Sequence, residues 1–484
     1  MVLVFVLGYI AIALEHPLKI EKAASALLIG SILWALYALF SEQVLALGFS
    51  PSWEELKLTA HTIIQNIKPA MHPDSFATSP FRETVDLAAN TTAFVKEELA
   101  HHLVDIAEIL FFLFGAMTIV EVVDQHQGFT VITDKIKTTN QVKLIWIIGF
   151  ITFFMSSVLD NLTTTIVMIA LLRKLISDKH TRWTFASMIV IAANAGGAWS
   201  PIGDVTTIML WIGGQITTVN IMLKVFLPSM VNMIVPLVIL SFMVSGDVKR
   251  PEKSQQSAGL TTAGEKLFIL ILGISALLFV PVFKTLTHLP PYMGMLFGLG
   301  VLWLVSEIMH RNKEEEVRKK LTIFYVVKRV DTPTIFFFLG ILSAVAALQS
   351  AGQLSLLAGW LNEKLGNIFL INLAIGGISA VVDNVPLVAG SMGMYDIVTP
   401  DMLRVAADPA YSGFFVQDGL FWELLAYCAG TGGSMLIIGS AAGVAAMGLE
   451  RIDFIWYMKR ISLIALAGYL AGVGVYWLQA QILA

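Results

Sequence analysis

Apolar stretches separated by short polar loops follow one another along the whole chain. A transmembrane α-helix needs about 20 predominantly apolar residues, and on that basis the pattern predicts full spans at ten places. They cover residues 2–14, 23–40, 105–123, 184–213, 219–245, 267–284, 290–309, 334–350, 424–448 and 455–480. The first is short, but it lacks the basic start and the small-residue cleavage pattern of a signal peptide, so we expect a retained span.

Two further apolar stretches, 143–172 and 366–395, carry an Asp-Asn pair at their centres, in the motifs SSVLDN and SAVVDN. Lys and Arg flank the first stretch at both ends, which places both ends on the cytoplasmic side under the positive-inside rule. The loop after the second stretch is acidic, so its ends are predicted outside. A stretch whose two ends share a side is a re-entrant hairpin rather than a span.

The basic residues also assign the longer connecting loops to a side. Residues 249–266 and 311–329 contain the other clusters of Lys and Arg, and both are predicted cytoplasmic. Each half of the chain then crosses five times, which inverts the second half relative to the first and places both termini outside. The two hairpins would face one another across a single site, as in many secondary transporters with discontinuous helices.

The predicted fold class is therefore an all-α polytopic membrane protein, an inverted repeat with two re-entrant hairpins and two broken transmembrane helices. We expect four parts in order: the first two spans with an acidic external insertion (1–104); the first repeat core (105–245), with its hairpin at 143–172 and broken helix at 184–213; the connecting spans and basic cytoplasmic loop (246–332); and the second repeat core (333–484), with its hairpin at 366–395 and broken helix at 424–448.

Glycine-rich motifs support the repeat. NAGGAWSPIGD (194–204) and GTGGSMLIIGS (430–440) share the pattern G-G-x5-G, and each follows an Asp-Asn motif in the same order. The Asp-Asn motifs share only the four residues of the pattern S-x-V-x-D-N, a match that could arise by chance. Two kinds of matching motif in the same order in both halves are much stronger evidence of a repeat. The glycines predict breaks, which a membrane helix tolerates where they are buried or line a cavity.

The composition is typical of a membrane protein, and it argues against a nucleic-acid-binding protein and against a disulfide-rich or cysteine-ligated metal protein. Apolar residues make up 56% of the 484 positions and charged residues only 14%, whereas ordinary globular domains carry about 25% charged residues. The net charge of −4 does not suggest a nucleic-acid partner. The single cysteine, Cys428, excludes a disulfide framework or a cysteine-based metal site within one chain.

Three aspartates lie deepest in the apolar segments, each at a predicted helix break: Asp160, Asp204 and Asp383. Neutral oxygen donors stand beside them, namely Ser156, Asn161, Thr163, Thr164, Asn194, Ser200, Thr206, Thr207, Ser379, Asn384, Thr431, Ser434 and Ser440. Carboxylate, amide, hydroxyl and carbonyl oxygens are ligands for a hard cation, and no cluster of soft ligands accompanies them. The sequence predicts a site for sodium, lithium or a proton, with no cofactor.

A carboxylate at membrane depth persists when it has a partner or a ligand. Burial favours its protonated form and a bound cation favours its ionised form, so one aspartate can hold either. If the site must hold either a proton or a cation before it can move across the membrane barrier, the flow of protons is coupled to the flow of cations. We expect Asp160→Asn to stop sodium-driven proton flux, and retained flux would count against this mechanism.

The motifs SSVLDNLTTTIVM, NAGGAWSPIGDVTT, SAVVDNVPL and GTGGSMLIIGSAAG together resemble the NhaD-type sodium/proton antiporters of the ion transporter superfamily, from about residue 105 to the end. The resemblance implies that the cation site comprises Ser156, Asp160, Asn161, Asn194, Asp204, Thr206, Thr207, Ser379, Asp383, Asn384, Thr431 and Ser434. We expect sodium at Asp160, Asn161, Asp383 and Asn384. The family also implies sodium or lithium exchange for protons in pH homeostasis, a homodimer with elevator-like motion, and a place in the lipid bilayer of a bacterial inner membrane.

Other roles are open for the same residues. Each Asp-Asn pair could be an N-cap, although an N-cap inside the bilayer presupposes a broken helix. The glycines could serve close helix packing alone, and Asp204 could be an interfacial acid at a helix end. His101 and His102, at the start of the third span, could sense pH or be ordinary surface histidines.

Other functions also compete. Carriers of arsenite, silicate and dicarboxylates share this plan, but anion carriers need positive charge or helix N-termini at the site, and the motifs contain three Asp and no Lys or Arg. An intramembrane aspartyl protease would pair two buried carboxylates, yet the Tyr395-Asp396 pair follows the Ile-Gly-Asp sequence ending at Asp204 and lies in an external loop. A channel could use one such site, but inverted hairpins favour alternating access.

Overall fold

The computed structural model describes residues 1–13, 19–133, 135–250, 260–381 and 383–483. Parts of three predicted segments lie outside these ranges: Leu14 of the first span, residues 251–259 of the loop 249–266, and Val382 of the second hairpin. Within the described residues the secondary structure is α-helical, apart from two short 3-10 turns, one π turn and an isolated β-bridge between Asn140 and Asp247.

Eight helices of the described residues are long and apolar enough to cross a membrane. They are Lys22–Leu39, Thr91–Gln125, Gln141–Leu159, Thr218–Met243, Ala263–Thr287, Pro291–His310, Thr332–Ser350 and Ser462–Ile482. These helices confirm the prediction of an all-α polytopic membrane protein.

The remaining helices are shorter or lie beside a break. They are Val2–Ala13, Ser41–Leu45, Pro51–Thr62, Pro73–Ala77, Pro80–Ala88, Thr130–Thr133, Asn161–Leu175, Lys179–Ala198, Val205–Ile212, Glu315–Leu321, Ile323–Val327, Gln353–Leu365, Ile368–Ser379, Asn384–Met394, Pro400–Val405, Pro409–Ser412, Leu420–Gly432, Ala441–Glu450 and Phe454–Arg460.

Several boundaries differ from those predicted. The helix Thr91–Gln125 begins well before the predicted span 105–123, because its first turns are polar and hydropathy detects only the apolar part of a helix. The last predicted span is divided at Ile461. Glu423, predicted in the acidic external loop, is a buried residue of the helix Leu420–Gly432.

Helix breaks occur at all four predicted motifs. The first helix pair, Gln141–Leu159 with Asn161–Leu175, and the second, Ile368–Ser379 with Asn384–Met394, are each divided at an Asp-Asn motif. The first broken helix, Lys179–Ala198 with Val205–Ile212, and the second, Leu420–Gly432 with Ala441–Glu450, are each divided at a Gly-rich motif.

The re-entrant course of the two helix pairs remains a prediction, as do the inverted orientation of the halves and the four-part division of the chain. The helix Gln141–Leu159 has 19 residues and is itself long enough to span a membrane. Its length therefore does not by itself distinguish a half-helix of a hairpin from a span.

The described residues divide into two compact units, and the first comprises residues 1–107, 332–366 and 389–396. Its centre is the packing of Lys22–Leu39 against Thr332–Ser350, two helices that are far apart in the sequence. The indole N–H of Trp34 donates to the carbonyl of Ser343 at 2.9 Å. A Cβ on Gly340 would lie 2.4 Å from the backbone of Ala26, so only glycine permits this approach.

The second unit comprises residues 108–331, 367–388 and 397–484, and it contains all four motifs. The first broken helix is buried from Phe185 to Ala198, on every face, which is typical of a helix at the centre of a protein rather than at its surface. Trp422 and Tyr427 of the second broken helix are also fully buried. The two broken helices therefore form the core of this unit.

The same contacts hold a helix pair against a broken helix in each half. Ser156 donates its hydroxyl to the carbonyl of Ala193 at 2.6 Å, and Ser379 donates to Ala429 at 2.9 Å. A Cβ on Gly196 would lie 2.1 Å from the carbonyl oxygen of Phe153, and one on Gly432 would lie 2.3 Å from that of Gly376. Close packing is thus one role of both glycines.

Candidate cation site

Asp204 is a buried residue at the end of the break in the first broken helix. Its Oδ1 accepts the backbone N–H of Thr206 at 3.2 Å and so caps the helix Val205–Ile212. Its Oδ2 accepts two side-chain amides, from Asn161 at 3.1 Å and from Asn384 at 3.3 Å. Since Asn161 and Asn384 belong to the two Asp-Asn motifs, both motifs converge on one carboxylate.

Asn194 joins the two broken helices. Its Oδ1 accepts the amide of Asn161 at 3.1 Å, and its Nδ2 donates to the hydroxyls of Ser434 and Ser440, each at 2.9 Å. Ser440 in turn accepts the backbone N–H of Gly443 and caps the helix Ala441–Glu450. The network is therefore continuous from one Gly-rich break to the other.

Asp160 and Asp383 hydrogen-bond within their own motifs. The carboxylate of Asp160 accepts the backbone N–H and the hydroxyl of Thr163, both at 2.8 Å, and caps the helix Asn161–Leu175. Asp383 accepts the backbone N–H of Val385 at 3.3 Å. The N-cap alternative is thus correct for Asp160, and it coexists with the predicted break. Both negative charges also act on Asp204.

Asp160 has a positive φ of 70°. A residue other than glycine is strained in that region, and such strain concentrates at functional sites, where the surrounding structure holds it in place. The two hydrogen bonds from Thr163 hold it here.

Four further predicted donors are buried and donate their hydroxyl hydrogens to backbone carbonyls. Thr207 donates to the carbonyl of Asp204 at 2.8 Å, and Thr431 to that of Tyr427 at 2.6 Å. Ser156 and Ser379 donate to Ala193 and Ala429 as described above. Their oxygen lone pairs are still available to a ligand.

Oxygen ligands and negative charge therefore dominate the site. The charges of Asp160 and Asp383 act on Asp204, and no Lys or Arg occurs in any of the four motifs. Buried like charges repel and are poorly solvated, and a bound proton or cation relieves both effects. Ser440, which the resemblance did not include, completes the network. Its place opposite Asp204 in the aligned Gly-rich motifs is the sequence signal that identifies it.

The histidines predicted as pH sensors lie in the first unit, on the helix Thr91–Gln125. His102 lies 4.0 Å from the carboxylate of Glu98, and its ring centroid is 5.9 Å from that of His101. His101 is exposed and His102 is half-buried. Their role in pH sensing remains a prediction.

A second histidine pair, which no motif in the sequence indicates, is buried. His126 donates from Nδ1 to the carbonyl of Val122 at 2.7 Å, so its Nε2 accepts the Nε2–H of His310 at 2.9 Å. The Nδ1 of His310 lies 3.9 Å from Glu265, which also binds Lys313 at 2.8 Å. Both histidines follow apolar stretches, and hydropathy cannot show that two such ends meet.

Burial lowers the pKa of His126 from its ordinary value of 6.5, a shift to which the charge of Lys313 adds. The folded protein then takes up a proton less readily than the unfolded chain, so its stability should fall as pH drops below about 6.5, by at most about 1.4 kcal/mol per pH unit for one such group. His126→Gln should flatten this part of the profile, which melting temperatures in detergent between pH 5.5 and 8 would show. His72→Gln is the control, since the side chain of His72 is 73% exposed. Equal slopes for His126→Gln and the parent would contradict the prediction.

A family model described as Citrate transporter matches residues 9–411. The chain is 50% identical over 392 residues to Sodium/proton antiporter 1 of Arabidopsis thaliana, covering 81% of this chain and 65% of that protein. It is 41% identical over 478 residues to Sodium/proton antiporter 2 of the same plant, covering 98% of each. It is 34% identical over 412 residues to the Na(+)/H(+) antiporter NhaD of Alkalimonas amylolytica, covering 79% of each.

Proposed function

The chain belongs to the NhaD-type sodium/proton antiporter family, and from this premise we propose that it exchanges sodium for protons across a membrane. Members of this family are transporters, so the chain is a transporter and not an enzyme, and the aspartyl protease alternative is wrong. The observation that carries the proposal is the position of Asp204, whose Oδ2 accepts amides from both Asp-Asn motifs beside two further acids.

The exchange follows from the charge of this cluster. When Asp204 is protonated it needs no metal, and when it is ionised it attracts a cation. The amides of Asn161 and Asn384 hold the carboxylate in place, and the amide oxygens of asparagine are neutral ligands of the kind that a hard cation binds. Sodium and lithium both prefer such oxygen ligands. Alternating access would then present one site, holding either a proton or a metal ion, to the two sides in turn.

A carboxylate carrier is the second candidate, because the matching family model is described as Citrate transporter. An anionic substrate requires positive charge at the site or open helix N-termini. Four helices begin at this site, and a side chain accepts a backbone N–H near the start of each: Asp160 and Asp383 in the Asp-Asn motifs, and Asp204 and Ser440 in the Gly-rich breaks. Three aspartates and the absence of basic residues from the motifs therefore favour a cation.

Proton flux in liposomes separates the two candidates. The purified full chain is reconstituted with an internal pH dye, and a proton gradient is imposed before sodium, lithium, potassium or citrate is added outside. We expect sodium and lithium to drive proton movement and potassium and citrate to have little effect. Uptake of labelled citrate without any sodium-driven proton movement would overturn the proposal in favour of a carboxylate carrier.

The homodimer, elevator-like motion, a role in pH homeostasis, the placement of both termini outside and a bacterial inner membrane all remain part of this proposal. The relatives come from a plant and from bacteria, so family membership supports an integral membrane protein without naming the membrane.

A further inference from the structure

The two Gly-rich motifs align with an offset of 236 residues, because Gly196 and Gly197 stand opposite Gly432 and Gly433. The same contacts support this alignment in three dimensions: a Cβ on Gly197 would lie 2.5 Å from the carbonyl oxygen of Gly203, and one on Gly433 would lie 2.6 Å from that of Gly439. The alignment therefore matches residues by position in the fold as well as by sequence.

Three pairs of aligned residues lie at the cation site. Asn194 is opposite Gly430, Asp204 is opposite Ser440, and Ala198 is opposite Ser434. On one side the amide of Asn194 reaches Ser434 and Ser440, each at 2.9 Å. On the other side a Cβ placed on Gly430 would meet the aligned partners of those serines, Ala198 at 3.2 Å and Asp204 at 3.4 Å.

The same three aligned positions thus meet in two arrangements, but their side chains differ. In the first, an amide group fills the space between two hydroxyl oxygens and donates to both. In the second, Gly430 has no side chain beside the Oδ2 of Asp204, where the Cβ contact would be made. An amide N–H and a metal cation are both positive partners for oxygen. By the alignment, the position beside Gly430 corresponds to the one that the amide of Asn194 occupies in the first arrangement.

We propose that Gly430 is a specificity-determining residue, which leaves room beside Asp204 for the transported cation and limits its size. The inference rests on the proposed exchange of sodium for protons and identifies where in the site the cation lies. A methyl group at this position narrows the space without touching the carboxylate's charge, so it should disfavour the larger ion. An asparagine at this position would supply a fixed amide to Asp204 and compete with every cation.

Cation binding is measured by thermal stabilisation of the detergent-solubilised full chain, because a ligand that binds only the folded state raises its melting temperature. For Gly430→Ala we expect the sodium concentration at half-maximal stabilisation to rise about tenfold, since one methyl group in a fitted pocket typically discriminates by that much or more. The lithium value should rise less, so preference shifts toward lithium. For Gly430→Asn we expect neither ion to stabilise the protein.

Gly448→Ala is the matched control. Gly448 lies in the same broken helix, and a Cβ on it would meet nothing within 4 Å. In Gly430→Ala the new methyl group would lie only 3.2 Å from the Cβ of Ala198. A double variant with Ala198→Gly removes this contact and keeps the methyl group beside Asp204. The double variant should show the same shift toward lithium.

The inference is overturned if Gly430→Ala or the double variant leaves the ratio of the sodium and lithium concentrations unchanged, or if Gly430→Asn still responds to sodium like the parent. Failure of the exchange function looks different. In that case the parent protein itself shows no sodium-driven proton flux in liposomes, whatever position 430 contains.

Discussion

Asparagine in place of Asp204 should reduce sodium-driven proton flux to the level of protein-free liposomes. Asparagine has nearly the same shape as aspartate and retains an oxygen that can accept the backbone N–H of Thr206, so the helix cap should survive. Its NH2 group then faces the amide donors of Asn161 and Asn384, so the melting temperature shows what this local mismatch costs. What it removes is the exchangeable charge. A permanently neutral side chain resembles the protonated aspartate and can neither release a proton nor attract sodium.

Flux of reconstituted Asp204→Asn, measured beside its melting temperature, tests this expectation. Asp418→Asn is the control, because Asp418 also accepts a backbone N–H and a hydroxyl, both from Thr217, but lies outside the network. Asp160→Asn, which the sequence alone predicts to stop the flux, should instead retain part of it, because Asp160 accepts its hydrogen bonds from Thr163 of its own motif. Full flux in Asp204→Asn with no flux in Asp160→Asn would place the exchange at Asp160.

Local features of the sequence predicted the breaks because their causes are local. An aspartate followed by an asparagine in an apolar stretch favours a helix start, and Asp160 and Asp204 do cap helices. Paired glycines permit backbone contact, as at Gly196 and Gly432. In both cases the residue type itself dictates the local structure.

The arrangement of the site depends on contacts between distant segments, which spacing cannot show. Asn161 and Asn384 reach Asp204 across 43 and 180 residues of sequence. Hydropathy could not rank Asp160, Asp204 and Asp383, because every buried aspartate looks alike in such a pattern. Only the fold shows that Asp160 is bound by its own helix, whereas Asp204 accepts amides from both Asp-Asn motifs.

Two arginines after the predicted first hairpin form ion pairs that the sequence did not predict. Arg173 and Arg182 were predicted on the cytoplasmic side, and the predicted topology returns the end of the second broken helix to that side. Both arginines bind Glu450 at that end, at 2.7 and 2.9 Å. This contact is consistent with the predicted topology, which remains a prediction.

Removing both arginines should destabilise the protein more than removing either one. The side chain of Glu450 is only 1% exposed, whereas those of Arg173 and Arg182 are 49% and 20% exposed. Each single substitution to alanine leaves the carboxylate one partner, but the double variant leaves a buried charge with none. Loss of the partners of a buried ion typically lowers the free energy of unfolding by about 3–5 kcal/mol. The decreases measured for the two single variants should add up to clearly less than the decrease for the double variant.

Denaturant titration in detergent micelles gives the four free energies of unfolding of this double-mutant cycle. Glu450→Gln in the background of the double variant should recover most of the loss, because it removes the unpaired charge and keeps the shape of the side chain. Lys319→Ala is the control, since its pair with Glu315 is about 70% exposed at both ends and such pairs contribute less than about 1 kcal/mol. Additive single effects, or no recovery by glutamine, would mean that Glu450 does not depend on these arginines for its burial.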